Sequence, residues 1–185
     1  MPVGTDDDDV GVEFRTAVDD DAPTIADLVH NAYRGEESAK GWTSEAHLLD
    51  GQRIAVDDVL AVIAAPDAVV LLGLDDDGSI LACCELRRSD AELGYFGMFA
   101  VRPGRTGAGT GRIVLAEAER FATERWGVTS MELTVIGQRA ELIAWYERRG
   151  YVLTGDTRPF PYDDRRFGDP RRDDLHFVVL RKRLR

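Results

Sequence analysis

The sequence predicts an α/β (α+β) fold, with a mixed, mostly antiparallel central sheet flanked by helices. Its 185 residues, 44% of them hydrophobic, suit a single domain with one sizeable core. Segments with strand-like alternation and helix-like periodicity follow each other in the order β-α-α-β-β-β-α-β-α-β-β. With no internal repeat and no linker, we expect one domain over residues 12–185, after a disordered acidic tail over residues 1–11.

The N-terminal part supplies one strand and two helices. "VEFRTAV" alternates as a strand does, and the acidic "DDDAP" favours a helix start, with one apolar face at Ile25, Leu28 and Val29. The polar stretch 34–53, "RGEESAKGWTSEAHLLDGQR", is broken by glycines and predicts a loop with a short helical piece. "AVDDVLAVIAA" resumes helical spacing until Pro66 ends it.

Three strands then form a meander. "AVVLLGL", "SILACCELRR" and "LGYFGMFAVRP" are separated by the turns "DDDG" and "SDAE". Cys83 and Cys84 are neighbours in the middle strand, so their side chains point to opposite faces and a disulfide between them is geometrically disfavoured. No further metal ligands stand nearby in the sequence, so we expect buried free thiols, no metal, and a reducing, cytoplasmic location.

The C-terminal half continues with helix, strand, helix and two strands. The helix "TGRIVLAEAERFATERWG" is expected to end at Gly127 and to bury one stripe: Ile113, Leu115, Ala116, Ala118 and Phe121. "SMELTVI" is a strand, "RAELIAWYERRG" a helix that stops at Gly150, and "YVLTG" and "LHFVVLRKRL" are strands joined by a loop rich in Pro and Arg.

The formal net charge of −11 argues against a nucleic-acid partner, which would favour a basic face, and no such partner is expected. No apolar run spans a bilayer, so no membrane partner is expected, and the N-terminus lacks the basic and apolar regions of a secretory signal. Edge strands near the C-terminus make a homodimer possible. The three histidines have no partner in the sequence, and we expect no catalytic role for them: His30, His47 and His176.

The stretch "RTGAGTGR" lies between the third meander strand and the long helix. Its glycines and the unpaired first amides of the helix favour binding of a phosphate group on bare backbone N–H groups, with Arg105 and Arg112 at its flanks. The alternative is a tight turn with close helix packing. Dinucleotide-binding and Walker loops require other spacings, and both are excluded.

Two motifs resemble the GNAT superfamily of N-acyltransferases. "VRPGRTGAGTGR" is similar to the acyl-CoA binding motif of that family, and one usual Arg or Gln is replaced by Thr106. "LIAWYERRGY" is similar to the family's Tyr-x-x-x-Gly-Phe/Tyr signature, although the asparagine common earlier on that helix is missing. The residues that carry the two matches are Val101, Pro103, Gly107, Gly109, Gly111, Tyr146, Gly150 and Tyr151.

This resemblance implies acetyl-CoA as the co-substrate, in a V-shaped opening between the strand ending at Val101 and "SMELTVI". The pantetheine would pair with strand backbone and the pyrophosphate would lie on the glycine loop. The implied coenzyme-binding residues are Phe99, Ala100, Val101, Arg105, Thr106, Gly107, Ala108, Gly109, Thr110, Gly111 and Arg112.

Acetyl transfer to an amine needs a group at the leaving sulfur and an acceptor for the amine's proton. The resemblance implies that Tyr146 serves the sulfur; the helix pattern alone favours a core aromatic at this position. Glu92, at the start of the strand that enters the site, is the candidate base acting through water. Glu85 on the neighbouring strand is the alternative, and a solvated surface role stays open for both.

The loops are expected to recognise the acceptor. Four residues are candidates to line its pocket: Tyr33, Trp42, Glu45 and Tyr162. The sequence therefore predicts an acetyl-CoA-dependent N-acetyltransferase acting on a small-molecule amine by direct attack in a ternary complex. A non-catalytic acyl-CoA sensor and a protein (lysine or N-terminal) acetyltransferase remain the alternatives.

Overall fold

A computed structural model describes residues 11–34, 45, 47–51, 53–105, 109–164 and 167–185. The elements follow the predicted order, with two short strands added in the loops. The helices are α1 (Ala22–Arg34), α2 (Val56–Ala64), α3 (Thr110–Trp126) and α4 (Ala140–Glu147), and a short 3-10 turn, Asp19–Asp21, precedes α1. The strands are β1 (Glu13–Thr16), β2 (Leu49–Asp50), β3 (Ala68–Leu74), β4 (Ile80–Arg88), β5 (Leu93–Val101), β6 (Ser130–Ile136), β7 (Val152–Pro159), β8 (Asp169–Pro170) and β9 (His176–Arg183).

Seven strands form the main sheet in the order β1-β3-β4-β5-β6-β9-β7. All neighbours pair antiparallel except β5 and β6, which are parallel and joined by the crossover helix α3. The mixed, mostly antiparallel sheet flanked by helices is thus confirmed. In the loop predicted for residues 34–53, Leu49 and Asp50 form β2, which pairs with β8 near the C-terminus.

Helices cover both faces of the sheet, and each face has its own apolar cluster. The α1 and α2 face buries Ile25, Leu28 and Val29, as predicted. On α3 the predicted stripe is partly wrong: Ala116 is exposed and Ile113 is half-buried. The buried residues of α3 are instead Thr110, Val114, Leu115, Ala118 and Ala122. The side of the helix that carries these residues packs against the sheet, mainly against β4.

The two cysteines lie on opposite sides of the sheet. Cys83 belongs to the cluster under α1 and α2, and Cys84 to the cluster under α3. Both are fully buried free thiols, as the strand pattern predicts. Burial raises the pKa of Cys83 to about 12 and that of Cys84 well above its usual value.

Within the described part of the chain, no helix is both long and apolar enough to cross a bilayer. Among the same residues, no three His, Cys, Asp or Glu side chains come together in a way that would hold a metal ion. The acidic tail predicted for residues 1–11 lies outside the described residues except for its last residue.

Candidate functional site

The parallel strands β5 and β6 separate in the middle of the sheet. They pair from Leu93 opposite Ser130 to Tyr95 opposite Glu132, and their registered pairing ends there. Beyond this point each strand runs on for several residues, to Val101 in β5 and Ile136 in β6. The strand ends therefore enclose a V-shaped opening, where the resemblance expects the acyl-CoA to lie.

A β-bulge in β5 follows directly on the separation. Cys83 and Glu85 of β4, two residues apart, face Ala100 and Gly97 of β5, which are three residues apart. The extra residue falls at Met98. Among the described non-glycine residues, only Met98 has a positive φ, 46°. Bulges bend a strand and increase its twist, and this one turns the end of β5 where it leaves β6.

A cavity of about 380 Å³ occupies the opening. Its walls come from β5, β6, α1, α4 and the segments around β7, and its size suits a small ligand. Of the residues predicted from sequence, the structure brings four to this cavity: Tyr33, Glu45, Phe99 and Tyr146.

Tyr146 lies on α4 and is 5% exposed. Its ring makes edge contacts with Phe96, at 6.4 Å between ring centroids, and with Tyr151 at 5.7 Å. Burial raises the pKa of its hydroxyl well above 10, so the group stays protonated and able to donate a hydrogen bond. Tyr146 is thus both a core aromatic and a cavity wall, and its catalytic role stays a prediction.

The structure does not bring the predicted carboxylate bases to the cavity. Glu92 is exposed in the turn before β5, where its carbonyl accepts hydrogen bonds from Thr129 and Ser130 at the paired end of β5 and β6. Glu85 lies opposite Gly97, but its carboxylate accepts a 2.6 Å hydrogen bond from Arg87 and is not part of the cavity wall. Neither position supports a direct part in catalysis.

The described end of the glycine loop is open. Gly109 has φ +81° and caps the start of α3, and a Cβ built on it would meet only the Arg112 guanidinium, at 4.0 Å. The space beside Gly109 at the start of α3 is therefore open, which leaves room for an anion there. Thr106, Gly107 and Ala108 lie outside the described residues.

The side chains of Arg105 and Thr110, on either side of Gly109, have partners within the protein. Arg105 forms a 2.6 Å ion pair with Asp75, so its guanidinium is directed to the β3–β4 turn. Thr110 is 1% exposed and its hydroxyl donates to the Arg105 carbonyl at 3.4 Å. The contribution of Gly109, Gly111 and Thr110 to anion binding can then come only from their backbone N–H groups.

The predicted acceptor residues divide into three groups. Tyr33 and Glu45 line the cavity. Tyr162 does not: it is 40% exposed, and its hydroxyl accepts a 2.6 Å hydrogen bond from the Leu175 amide. Trp42 lies outside the described residues.

Tyr33 joins α1 to the bulged end of β5. Its hydroxyl donates a short hydrogen bond to the Phe99 carbonyl, and burial raises its pKa to about 12. The Phe99 carbonyl, predicted to face the pantetheine, therefore already accepts one hydrogen bond from the protein. The neighbouring backbone of Ala100 and Val101 stays a predicted coenzyme contact.

Glu45 is the centre of a group of arginines that sequence reasoning missed. Its carboxylate lies 3.4 Å from Arg139 and 3.5 Å from both Arg34 and Arg53. The guanidinium carbons of Arg53 and Arg139 lie 5.0 Å and 5.9 Å from the centre of the Tyr33 ring. We call these five residues the Glu45 cluster. Arg139 is far in the chain from the other four members, and no local pattern marks the group.

Tyr95 is a second missed residue. It lies where β5 and β6 separate, lines the cavity, and hydrogen-bonds Thr134 across the gap. Its ring covers Gly97, where a Cβ would approach the ring to 2.6 Å. Gly97 is therefore required for the ring position, and burial raises the pKa of the Tyr95 hydroxyl.

The sequence of the chain matches the Acetyltransferase (GNAT) family over residues 28–151, so the chain belongs to this family of acetyltransferase enzymes. The fold and the opening between β5 and β6 agree with that membership. A mycothiol acetyltransferase of Beutenbergia cavernae is 36% identical over 87 residues, which are 47% of this chain and 29% of the relative. The chain thus matches less than a third of the length of that relative.

Solved structures share the fold. A GNAT family acetyltransferase from Elizabethkingia anophelis with acetyl-CoA bound superposes with a TM-score of 0.66 at 14% identity, covering 94% of this chain and 98% of that one. Spermidine N-acetyltransferase from Vibrio cholerae, in complex with CoA and spermine, gives 0.67 at 12% identity, covering 92% and 94%. At such identities the likeness establishes the fold.

Proposed function

We propose that the protein transfers the acetyl group of acetyl-CoA to the amine of a small-molecule acceptor by direct attack in a ternary complex. The observation that carries the proposal is the cavity of about 380 Å³ at the separation of β5 and β6, with the Tyr146 side chain in its wall. Its walls favour a small acceptor over a lysine on a protein surface, which would need an open groove.

Acetyl-CoA supplies an acyl group activated as a thioester. The acceptor nitrogen forms a bond to the carbonyl carbon, the carbon–sulfur bond breaks, and the sulfur leaves with the bonding electron pair. We assign to Tyr146 a hydrogen bond donated to that sulfur as its negative charge develops. The hydroxyl suits this role because its raised pKa keeps the proton in place.

The amine must lose a proton before or during attack. Glu45 is the one carboxylate among the described residues that line the cavity, and it is held by three arginines. Glu92 and Glu85 do not line the cavity. We therefore propose that the proton leaves through water in the mouth of the cavity, with no dedicated carboxylate base.

Tyr146→Phe tests the proposal. Loss of one donor that acts in the transition state should lower kcat about 100-fold. The shift of the melting temperature on adding coenzyme A should stay as in the wild type, because the hydroxyl serves only the sulfur. The assay measures thiol release from acetyl-CoA with a panel of amines.

Tyr162→Phe is the matched control, since that hydroxyl is bonded to Leu175 outside the cavity. It should leave turnover unchanged. Coenzyme binding without turnover of any amine by the wild type would instead support a sensor. Full activity of Tyr146→Phe would remove this tyrosine from the mechanism.

A further inference from the structure

We propose that the acceptor is an amine carried on an apolar body of about the size of one ring, and that this body packs against Ile136, Phe167 and Phe177. The inference rests on the proposed acetyl transfer and names its substrate class.

The cavity is lined from both faces of the sheet, because neighbouring residues of a strand point to opposite faces. Leu133 and Val135 of β6 line it and belong to the apolar cluster under α3. Thr134 and Ile136 alternate with them and line it from the opposite face. The glycine loop stands at the start of α3, so the coenzyme is expected on the α3 face. The acceptor would then enter from the opposite face, and its amine would meet the thioester where β5 and β6 separate.

The face left for the acceptor is apolar where β6 ends. Phe177 of β9 lies directly opposite Ile136 in the antiparallel pairing, and both side chains line the cavity. Phe167, between β7 and β8, adds a second ring, and Pro159 and Pro161 border it. We call Ile136, Phe167 and Phe177 the apolar wall. Its members come from two strands and a loop that meet only in the folded chain.

A buried ring holds the apolar wall from behind. Phe160 is 4% exposed, and its ring centre lies 5.6 Å from that of Phe177 and 6.3 Å from that of Phe167. Phe167 and Phe177 are only half-buried and line the cavity, so part of each ring surface is accessible there. An apolar body that covers these surfaces removes them from water, which favours binding. Rings that are already packed lose little side-chain freedom when the acceptor binds.

The charged side chains that line the described cavity already have partners of opposite charge within the chain. Glu45 pairs with Arg53 and Arg139, and Arg158 pairs with Glu132. A second ammonium group on the acceptor would approach these guanidiniums, and a carboxylate would have to compete with Glu45 or Glu132 for them. Burial of a charge without a partner of its own is costly, whereas an apolar body needs no partner.

The test compares acceptors that differ only at the end remote from the reacting amine. Hexylamine and 1,5-diaminopentane have the same chain length, but the diamine carries an ammonium group where hexylamine has a terminal methyl group. A third acceptor, 2-phenylethylamine, carries a ring instead. Each is assayed by thiol release from acetyl-CoA. We expect kcat/KM to be about tenfold or more higher for hexylamine and 2-phenylethylamine than for the diamine.

Phe177→Gln should bring the ratio of kcat/KM for hexylamine to that for the diamine close to one, mainly by raising KM for hexylamine, and Phe177→Leu should keep most of the preference. Phe121→Gln is the matched control, because Phe121 is also half-buried but lies on α3 outside the cavity. It should leave the ratio as in the wild type. Melting temperatures establish that each variant is folded, and Phe167→Gln replaces Phe177→Gln if that chain does not fold.

Calorimetric titration of the same amines into the coenzyme A complex gives a readout that needs no turnover. Binding of hexylamine should show a negative heat-capacity change, because apolar surface leaves water, and Phe177→Gln should reduce that change.

The outcomes separate this inference from the proposed transfer. If the diamine is used as well as hexylamine and 2-phenylethylamine, the inference is overturned and acetyl transfer stands. Apolar amines that bind no tighter than the diamine would overturn it even if no acceptor reacts. Hexylamine that binds through Phe177 without turnover would support the apolar wall while contradicting the proposed transfer.

Discussion

Replacing Glu45 with glutamine removes the carboxylate that compensates three guanidiniums. Each ion pair spans 3.4–3.5 Å, which corresponds to ~5 kcal/mol of attraction at an effective dielectric constant of ~20. The attraction is opposed by the desolvation of Glu45 and by repulsion among the arginines. Measured losses on breaking buried ion pairs are about 3–5 kcal/mol, and we expect Glu45→Gln to fall in that range.

Thermal unfolding followed by circular dichroism measures this loss. At about 2–4 °C per kcal/mol for a chain of this size, the melting temperature should fall by roughly 6–20 °C. Glu124→Gln is the control, because Glu124 pairs with Arg120 but is 62% exposed on α3. It should leave the melting temperature unchanged within error, since exposed pairs contribute little.

A melting temperature for Glu45→Gln within 2 °C of the wild type would refute the reasoning. It would mean that the arginines are compensated without Glu45. A normal unfolding transition for the control would rule out a general effect of replacing an acidic residue.

Three further outcomes are expected. Gly109→Ala and Gly104→Ala should each cost about 1 kcal/mol, because both glycines have φ above +80°, but only Gly109→Ala should weaken coenzyme A binding measured by calorimetry. With acceptors of different basicity, the apparent pKa of kcat/KM should follow the amine, and Glu92→Gln should leave the profile unchanged; one constant pKa would point to a base on the protein. Tyr33→Phe should cost about 1 kcal/mol at neutral pH by removing the hydrogen bond to the Phe99 carbonyl, measured by urea unfolding. Because burial raises the pKa of Tyr33 to about 12 against about 10 when unfolded, its hydroxyl loses its stabilising contribution as pH rises from 10 to 12, and the variant should lack that part of the alkaline decline.

The sequence predicts the elements well because local chemistry specifies them. Helix α3 begins at Thr110 and ends at Gly127, whose φ of +69° is the left-handed cap expected of that glycine. The position of β9 between β6 and β7 has no such local signal, since it depends on packing of segments far apart in the chain.

The candidate site is predicted where it follows a motif and missed where it depends on tertiary contacts. Tyr146 and Gly109 stand in recognisable motifs. Tyr33, near the end of α1, and Glu45, after that helix, both line the cavity. Arg53 and Arg139 come from separate elements, so only the folded chain brings them to one carboxylate. Glu92 is the opposite case. It precedes β5 at the end of that strand that lies away from the cavity, so its place beside a site strand does not bring it to the site.

The adjacent thiols of β4 offer an internal reporter of how the core opens. Cys83 is sealed beneath α1 and α2, and Cys84 beneath α3, so a reagent reaches each sulfur only when that layer detaches. In Cys83→Ser and Cys84→Ser chains, the rate of labelling of the remaining thiol would give the opening free energy of one layer at a time. A comparison of the two labelling rates would show whether the α1–α2 layer and the α3 layer detach from the sheet together or independently.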